Sequence, residues 1–156
     1  MRRRTIVIAA LALAVLVAAG AVAALALRGG SDDGTVLLPP GAVWRYDDSG
    51  KDLGVAWRQA DFDDAAWAQG PAPLGYGQDV STQISYGPNE QQKHLATSFR
   101  TTFEVPDGTA GIELRMRRDD GAVVYINGSE VLRSGMPTGD VTATTTANYA
   151  QDDGEV

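Results

Sequence analysis

Leu95-Ala96-Thr97-Ser98-Phe99-Arg100-Thr101-Thr102-Phe103-Glu104-Val105 is the stretch on which the fold of this chain turns. Leu95, Thr97, Phe99, Thr101, Phe103 and Val105 share one side of a period of two. Ala96, Ser98, Arg100, Thr102 and Glu104 share the other. An extended backbone sends successive side chains to opposite faces, so the first set reads as core and the second as a wet face. Aromatic and β-branched residues suit such a pleated, half-buried surface. Pro106-Asp107-Gly108 ends the run with turn chemistry.

The same reading extends in both directions. Ile112, Leu114 and Met116 alternate with Glu113, Arg115 and Arg117, which predicts a second half-buried strand. Asp119-Asp120-Gly121 turns the chain into Ala122–Ile126, an apolar run of strand length. Asn127-Gly128 follows and predicts a type I′ hairpin turn, which needs positive φ at both central residues. Glu130–Arg133 is then the returning strand, and the Thr-rich Val141–Tyr149 segment reads as another. Upstream, Val43–Tyr46 and Val55–Arg58 read as short strands, and Asp61–Trp67 as one helical turn. Many short strands with frequent Gly and Pro punctuation predict an all-β sandwich or jelly roll.

Gly70–Lys93 keeps no period and holds Pro71, Pro73, Gly75, Gly77, Gly87 and Pro88 around Tyr76 and Tyr86. A connection this long is either a plain surface loop or a functional one. If it binds a ligand, Tyr76, Gln78, Asp79, Tyr86 and Asn89 are the candidates, because sugar sites pair aromatic faces with a few polar groups.

Charge divides the chain sharply. Of 156 residues, 13 are Lys or Arg and 20 are Asp or Glu. Arg2, Arg3, Arg4 and Arg28 flank the N-terminal apolar run, leaving nine basic against 20 acidic residues from Gly29 onward. A domain so acidic does not attract a phosphate backbone, so nucleic acid is excluded as a partner. Cysteine is absent, which removes disulfides, thiolate zinc sites and cysteine nucleophiles.

The uncharged Thr5–Leu27 run has 23 residues. As a helix rising about 1.5 Å per residue it spans a hydrocarbon core of about 30 Å. The arginines ahead of it belong on the cytoplasmic side, so the acidic remainder is expected outside. Residues 1–28 are therefore read as a signal peptide or signal anchor, in one hydrophobic helix. Ala21-Val22-Ala23 and Ala24-Leu25-Ala26 offer small-x-small cleavage sites, whereas the length of the run suits an anchor. Residues 29–42, opening with Gly29–Gly34, read as a linker. The domain then covers 43–156.

Catalytic constellations are hard to assemble. His94 is the single histidine, flanked by Lys93 and Leu95, with no Gly-x-Ser-x-Gly elbow to accompany it. Carboxylates are plentiful, but a glycosidase pair is defined by separation in space. No catalytic residue is assigned and no cofactor is expected beyond a structural calcium. Asp119, Asp120, Asp152 and Asp153, in two Asp-Asp-Gly turns, are its candidate oxygen ligands, the alternative being solvated turn carboxylates. Asn127-Gly128-Ser129 is formally a glycosylation sequon, but the hairpin turn accounts for the same residues.

Phe62-Asp63-Asp64-Ala65-Ala66-Trp67, Pro73-Leu74-Gly75-Tyr76-Gly77, Phe99-Arg100-Thr101-Thr102-Phe103 and Arg118–Gly128 (RDDGAVVYING) form an ordered series. The series resembles the galactose-binding-like jelly-roll modules of secreted bacterial hydrolases. It is most similar to the module that precedes metallophosphoesterase domains of purple-acid-phosphatase type. The resemblance implies a non-catalytic extracytoplasmic accessory module with a carbohydrate or cell-wall glycan as ligand. It leaves two alternatives: the N-terminal part of a secreted metallophosphoesterase whose catalytic domain lies elsewhere, or a structural spacer. Within the motifs, Trp44, Trp57 and Trp67 read as packing anchors, Asp63 or Asp64 as a cap, and Arg100 as the partner of an aspartate. Val156 reads as the first apolar residue of a new strand, so the last strands of the sandwich are expected to be missing.

Overall fold

A computed structural model describes residues 3–13, 22–29, 35–148 and 154–155. Twelve strands run in chain order: β1 (Arg3–Leu13), β2 (Val22–Gly29), β3 (Val36–Leu38), β4 (Val43–Asp47), β5 (Ala68–Pro71), β6 (Leu74–Gly75), β7 (Thr82–Gln83), β8 (Ala96–Pro106), β9 (Ile112–Arg118), β10 (Gly121–Ile126), β11 (Ser129–Ser134) and β12 (Gly154–Glu155). The described chain is all-β, its only helical element being a single 3₁₀ turn at Ala56–Arg58. One sheet has the order β11-β10-β1-β8-β4-β5, antiparallel throughout. The other has the order β12-β9-β2-β6-β7, with β3 also paired to β2.

The alternation at 96–106 is what joins the two sheets. Phe99, Phe103 and Val105 enter a core that also takes Met116 of β9, Leu74 of β6, Leu38 of β3, and Ile8, Ala122 and Val124 of the first sheet. Phe99 is only 2% exposed, and full burial of such a side chain is worth roughly 1.5–3 kcal/mol.

The other face of β8 is wet only at its Thr102–Glu104 end. Ala96, Ser98 and Arg100 are as buried as their core-side neighbours. The segments around 53–67 and 136–147 cover this face, where Trp57, Met136 and Val141 pack on Ala9, Ala96, Val123 and Tyr125. Leu53, Phe62 and Trp67 close over that second cluster. Trp57 meets Tyr125 edge-on at 6.1 Å and Trp67 at 6.4 Å. Of the three tryptophans, Trp44 lies between the sheets and Trp57 and Trp67 belong to the outer face.

The hairpin turn is as expected. Asn127 and Gly128 both have positive φ, at 49° and 84°, and connect β10 to β11 in antiparallel register.

Three expectations are corrected. Val55–Arg58 is a 3₁₀ turn, not a strand; its backbone bonds locally, the Arg58 N–H to the Val55 carbonyl at 3.2 Å and the Gln59 N–H to the Ala56 carbonyl at 3.0 Å. Asp61–Trp67 is a succession of turns without a helix; the Asp63 carboxylate accepts the Ala65 N–H at 3.0 Å and the Asp64 carbonyl accepts from Trp67 at 3.0 Å. Val141–Asn148, the described part of the Thr-rich segment, forms no strand. Its hydroxyls compete with a ladder, Thr145 Oγ1 accepting the Thr142 N–H at 2.9 Å.

The described part of the N-terminal run is extended as well. Where one helix was expected over Thr5–Leu27, Arg3–Leu13 and Val22–Gly29 are strands. No helix among the described residues is long and apolar enough to cross a membrane. A continuous apolar run serves equally for a strand buried on both faces. β1 is such a strand, with Val7, Ile8 and Ala9 exposed by 7%, 0% and 0%.

Candidate functional site

The irregular Gly70–Lys93 stretch is held by its own hydrogen bonds. After the cis Ala72–Pro73 peptide bond, the Pro73 carbonyl accepts from Ser81 and Thr82, and the Gly75 carbonyl from Ile84. The Thr82 hydroxyl donates to the Pro71 carbonyl at 2.7 Å and the Gln83 carboxamide to Gly77 at 2.9 Å.

Within this frame the structure brings two of the five candidate ligand residues together. Tyr76 and Tyr86 meet edge to face at 5.6 Å between ring centroids. Tyr76 is buried and Tyr86 half-buried. Lys93, which periodicity gave no means of selecting, places its ammonium 4.6 Å from the Tyr76 ring and 5.3 Å from the Tyr86 ring. A cation over a ring is attracted by the quadrupole of the π-face. Burial, and then the charges of Asp119 and Asp120, push the Tyr76 hydroxyl up to about 12.

Gln78 and Asp79 stand exposed in the turn between β6 and β7, Asp79 in the left-handed region at φ 62°. Asn89 is exposed in a separate turn, its side-chain oxygen accepting the Gln91 N–H at 2.9 Å. The site is thus an aromatic pair with a cation, in a stretch whose exposed turns also carry Gln78, Asp79 and Asn89.

His94 sits at the root of the same loop and acts as a pin. Its Nδ1 lies 2.8 Å from the Asp48 carbonyl, an acceptor, so that nitrogen is the donor. Its backbone N–H reaches the Tyr86 carbonyl at 2.9 Å. Gly50 and Gly87 press against its ring, and a Cβ on either would come within 2.6 Å of it. Asp48 also accepts the Ser85 N–H at 2.6 Å, tying the 48–50 turn to the loop.

Of the calcium candidates, Asp119 is half-buried and Asp120 buried, and both lie close enough to Tyr76 for their charges to act on it. The Asp120 carbonyl accepts from Arg118, whose Nε also donates to Ser134 at 2.9 Å. Asp152 and Asp153 lie outside the described residues. Among the described residues no group of three or more His, Asp or Glu could hold a metal ion.

The outer face carries a second set of polar groups, several of them engaged with the scaffold. Arg100, 3% exposed, donates through Nε to Asp64 at 2.8 Å and through Nη1 to the Trp57 and Gln59 carbonyls, over the Phe62 ring at 5.3 Å. Arg45 approaches the other Asp64 oxygen at 3.4 Å. Arg58 lies 4.3 Å from the Tyr125 ring centroid. The buried Tyr125 hydroxyl and Arg58 Nε have no hydrogen-bond partner among the described residues. Burial raises the Tyr125 pKa, with the Arg58 charge opposing it. Beside them a cleft lined by Asp47, Lys51, Asp52, Trp57, Ser98 and Thr142 encloses only about 10 Å³, room for a single water.

Comparisons of the chain with protein-family models, with curated proteins and with solved structures return no match.

Proposed function

We propose that the domain is a non-catalytic extracytoplasmic binding module whose ligand is a carbohydrate, a cell-wall glycan in particular. The observation that carries this reading is the half-exposed Tyr86, backed by Tyr76 at 5.6 Å and by Lys93 over both rings. A ring held rigidly in a loop offers an apolar face to sugar C–H groups at little entropic cost, and the adjoining ammonium and loop-tip amides supply donors. Gln78, Asp79 and Asn89 stand exposed on neighbouring turns of the same stretch.

The galactose-binding-like jelly roll is part of the same proposal. Its support is that the separate motifs meet in space: Asp64 of the FDDAAW segment pairs with Arg100 of the FRTTF segment. The membrane-proximal location rests on the Arg2–Arg4 cluster ahead of an uncharged 23-residue run. The test is retention of the full chain on insoluble cell-wall polysaccharide, compared with Tyr86→Ala. Retention of the parent and at least about ten-fold weaker retention of the variant, or roughly 1.4 kcal/mol, is expected. Equal retention, or none, overturns the reading.

A further inference from the structure

β1 is an interior strand of its six-stranded sheet, and without it the sheet falls into two pieces, β11-β10 and β8-β4-β5. Its register with β8 runs unbroken from Arg3 opposite Pro106 to Leu13 opposite Ala96. With β10 it runs from Ile8 opposite Ile126 to Leu13 opposite Gly121. The Val7 N–H donates to Asn127 Oδ1 at 3.0 Å, and the Val7 carbonyl accepts the Asn127 N–H at 3.0 Å, so the hairpin turn is clipped to β1. Ile8 lies in the core between the sheets and Ala9 in the outer cluster beside Trp57. Arg3 and Arg4, both exposed, pair with Glu104 at 3.1 Å and Asp107 at 3.8 Å.

The rest of β1 is uncharged and forms the first part of the Thr5–Leu27 run, which has the length and apolarity to enter a bilayer. These residues cannot do both at once. In the sheet their backbone groups are given to β8 and β10; in a bilayer they must be satisfied within a helix.

We infer that the gap between β8 and β10 is a strand-acceptor slot, and that Arg3–Leu13 is its exchangeable occupant. In water the segment closes the sheet. In a bilayer it leaves together with Val22–Leu27 of β2, which close the same run, so β8 and β10 become open edges and β9 and β6 lose their shared partner. The membrane arm rests on the extracytoplasmic reading above; the slot rests on the strand register alone.

The absence of cysteine makes the exchange directly readable by engineered disulfides. Thr5 and Glu104 are cross-strand partners and both exposed. Such partners have Cα atoms about 4.5–5.5 Å apart, within the roughly 4.4–6.8 Å that a disulfide spans. The full-length T5C/E104C chain is oxidised in water and after reconstitution into phosphatidylcholine vesicles. Y46C/A68C, a β4–β5 pair on the far side of β8 from the slot, is the control for a folded domain. An intramolecular T5C/E104C bond in water, at least about ten-fold less of it in vesicles, and equal closure of the control in both are expected. Equal T5C/E104C closure in both media overturns exchange. Closure of the control alone overturns the slot. Disulfide-linked dimers assign the slot to the β1 of a second copy and overturn the occupant within the same chain. Labelling of V131C on intact cells with an impermeant maleimide tests the extracytoplasmic reading separately, since Val131 is 51% exposed; absence of labelling removes that reading and leaves the disulfide outcomes standing.

Discussion

Arg100 and Asp64 are joined at 2.8 Å across the outer face of the first sheet, and that pair fastens the covering loop to β8. Arg100 lies on the face that alternation assigns to solvent. It is buried because residues 53–67 fold back over it. Removing one partner of a buried pair leaves an unsatisfied charge and costs about 3–5 kcal/mol. The Asp64 side chain is 25% exposed and Arg100 keeps two carbonyl acceptors, so Asp64→Ala is expected at the lower end, about 3 kcal/mol. Urea unfolding monitored by tryptophan fluorescence measures it, and a change below about 1 kcal/mol contradicts the fastening role.

The Asn127–Gly128 turn gives a second prediction. A Cβ at Gly128 would meet only the mobile end of Gln59, at 2.7 Å, so the cost of Gly128→Ala comes from φ +84° rather than from crowding. Left-handed backbone costs an L-residue roughly 1–2 kcal/mol, and that loss is expected in the same unfolding assay. Gly108→Ala, also at positive φ with open space around it, is expected to lose a similar amount.

His94 and Gly50 provide a double-mutant cycle. Gly50→Ala adds strain at φ +72° and drives a methyl to 2.6 Å from the His94 ring. It is expected to destabilise the parent by about 2–3 kcal/mol but the His94→Ala background by only about 1, because the clash is gone. Additive losses would show that the ring and the glycine do not oppose each other.

How much of this was legible follows from the distance over which each residue's environment is set. The strands at 96–106 and 112–118 and the Asn-Gly turn depend on their own alternation and local φ requirements, so the sequence reading finds them. Arg100 and Trp57 do not, because the loop that buries them is contributed from elsewhere in the chain. Val55–Arg58 has strand composition, yet placing Trp57 in the outer cluster makes it a 3₁₀ turn. The Thr-rich 141–148 segment has β propensity, but its hydroxyls bond their own backbone. Thr5–Leu13 is ambiguous in principle, since a long apolar run fits both a membrane helix and a doubly buried strand. At the candidate site, Tyr76 and Tyr86 stand close enough in the chain to be read together and do meet in space, while Lys93 carries no local signal.

Tyr76 gives a pH prediction. Its hydroxyl is raised from 10.0 to about 12, chiefly by burial. The folded state therefore holds this proton more tightly than the unfolded chain does. The resulting stabilisation is full below pH 10 and is lost as pH rises from 10 to 12. Tyrosine absorbance at 295 nm should show one phenol ionising late, and Tyr76→Phe should flatten the stability decline over that interval. A decline of equal slope in the variant would assign it to other groups.

The central claim, a glycan-binding module read through Tyr86, is tested most directly by calorimetric titration of the full-length chain with soluble cell-wall glycan fragments. The prediction is saturable binding that Tyr86→Ala weakens at least about ten-fold while the chain still unfolds cooperatively in urea, losing about 1–2 kcal/mol with the packing of that ring on Tyr76. Absence of heat at every fragment concentration, or an affinity indifferent to Tyr86→Ala, would contradict it.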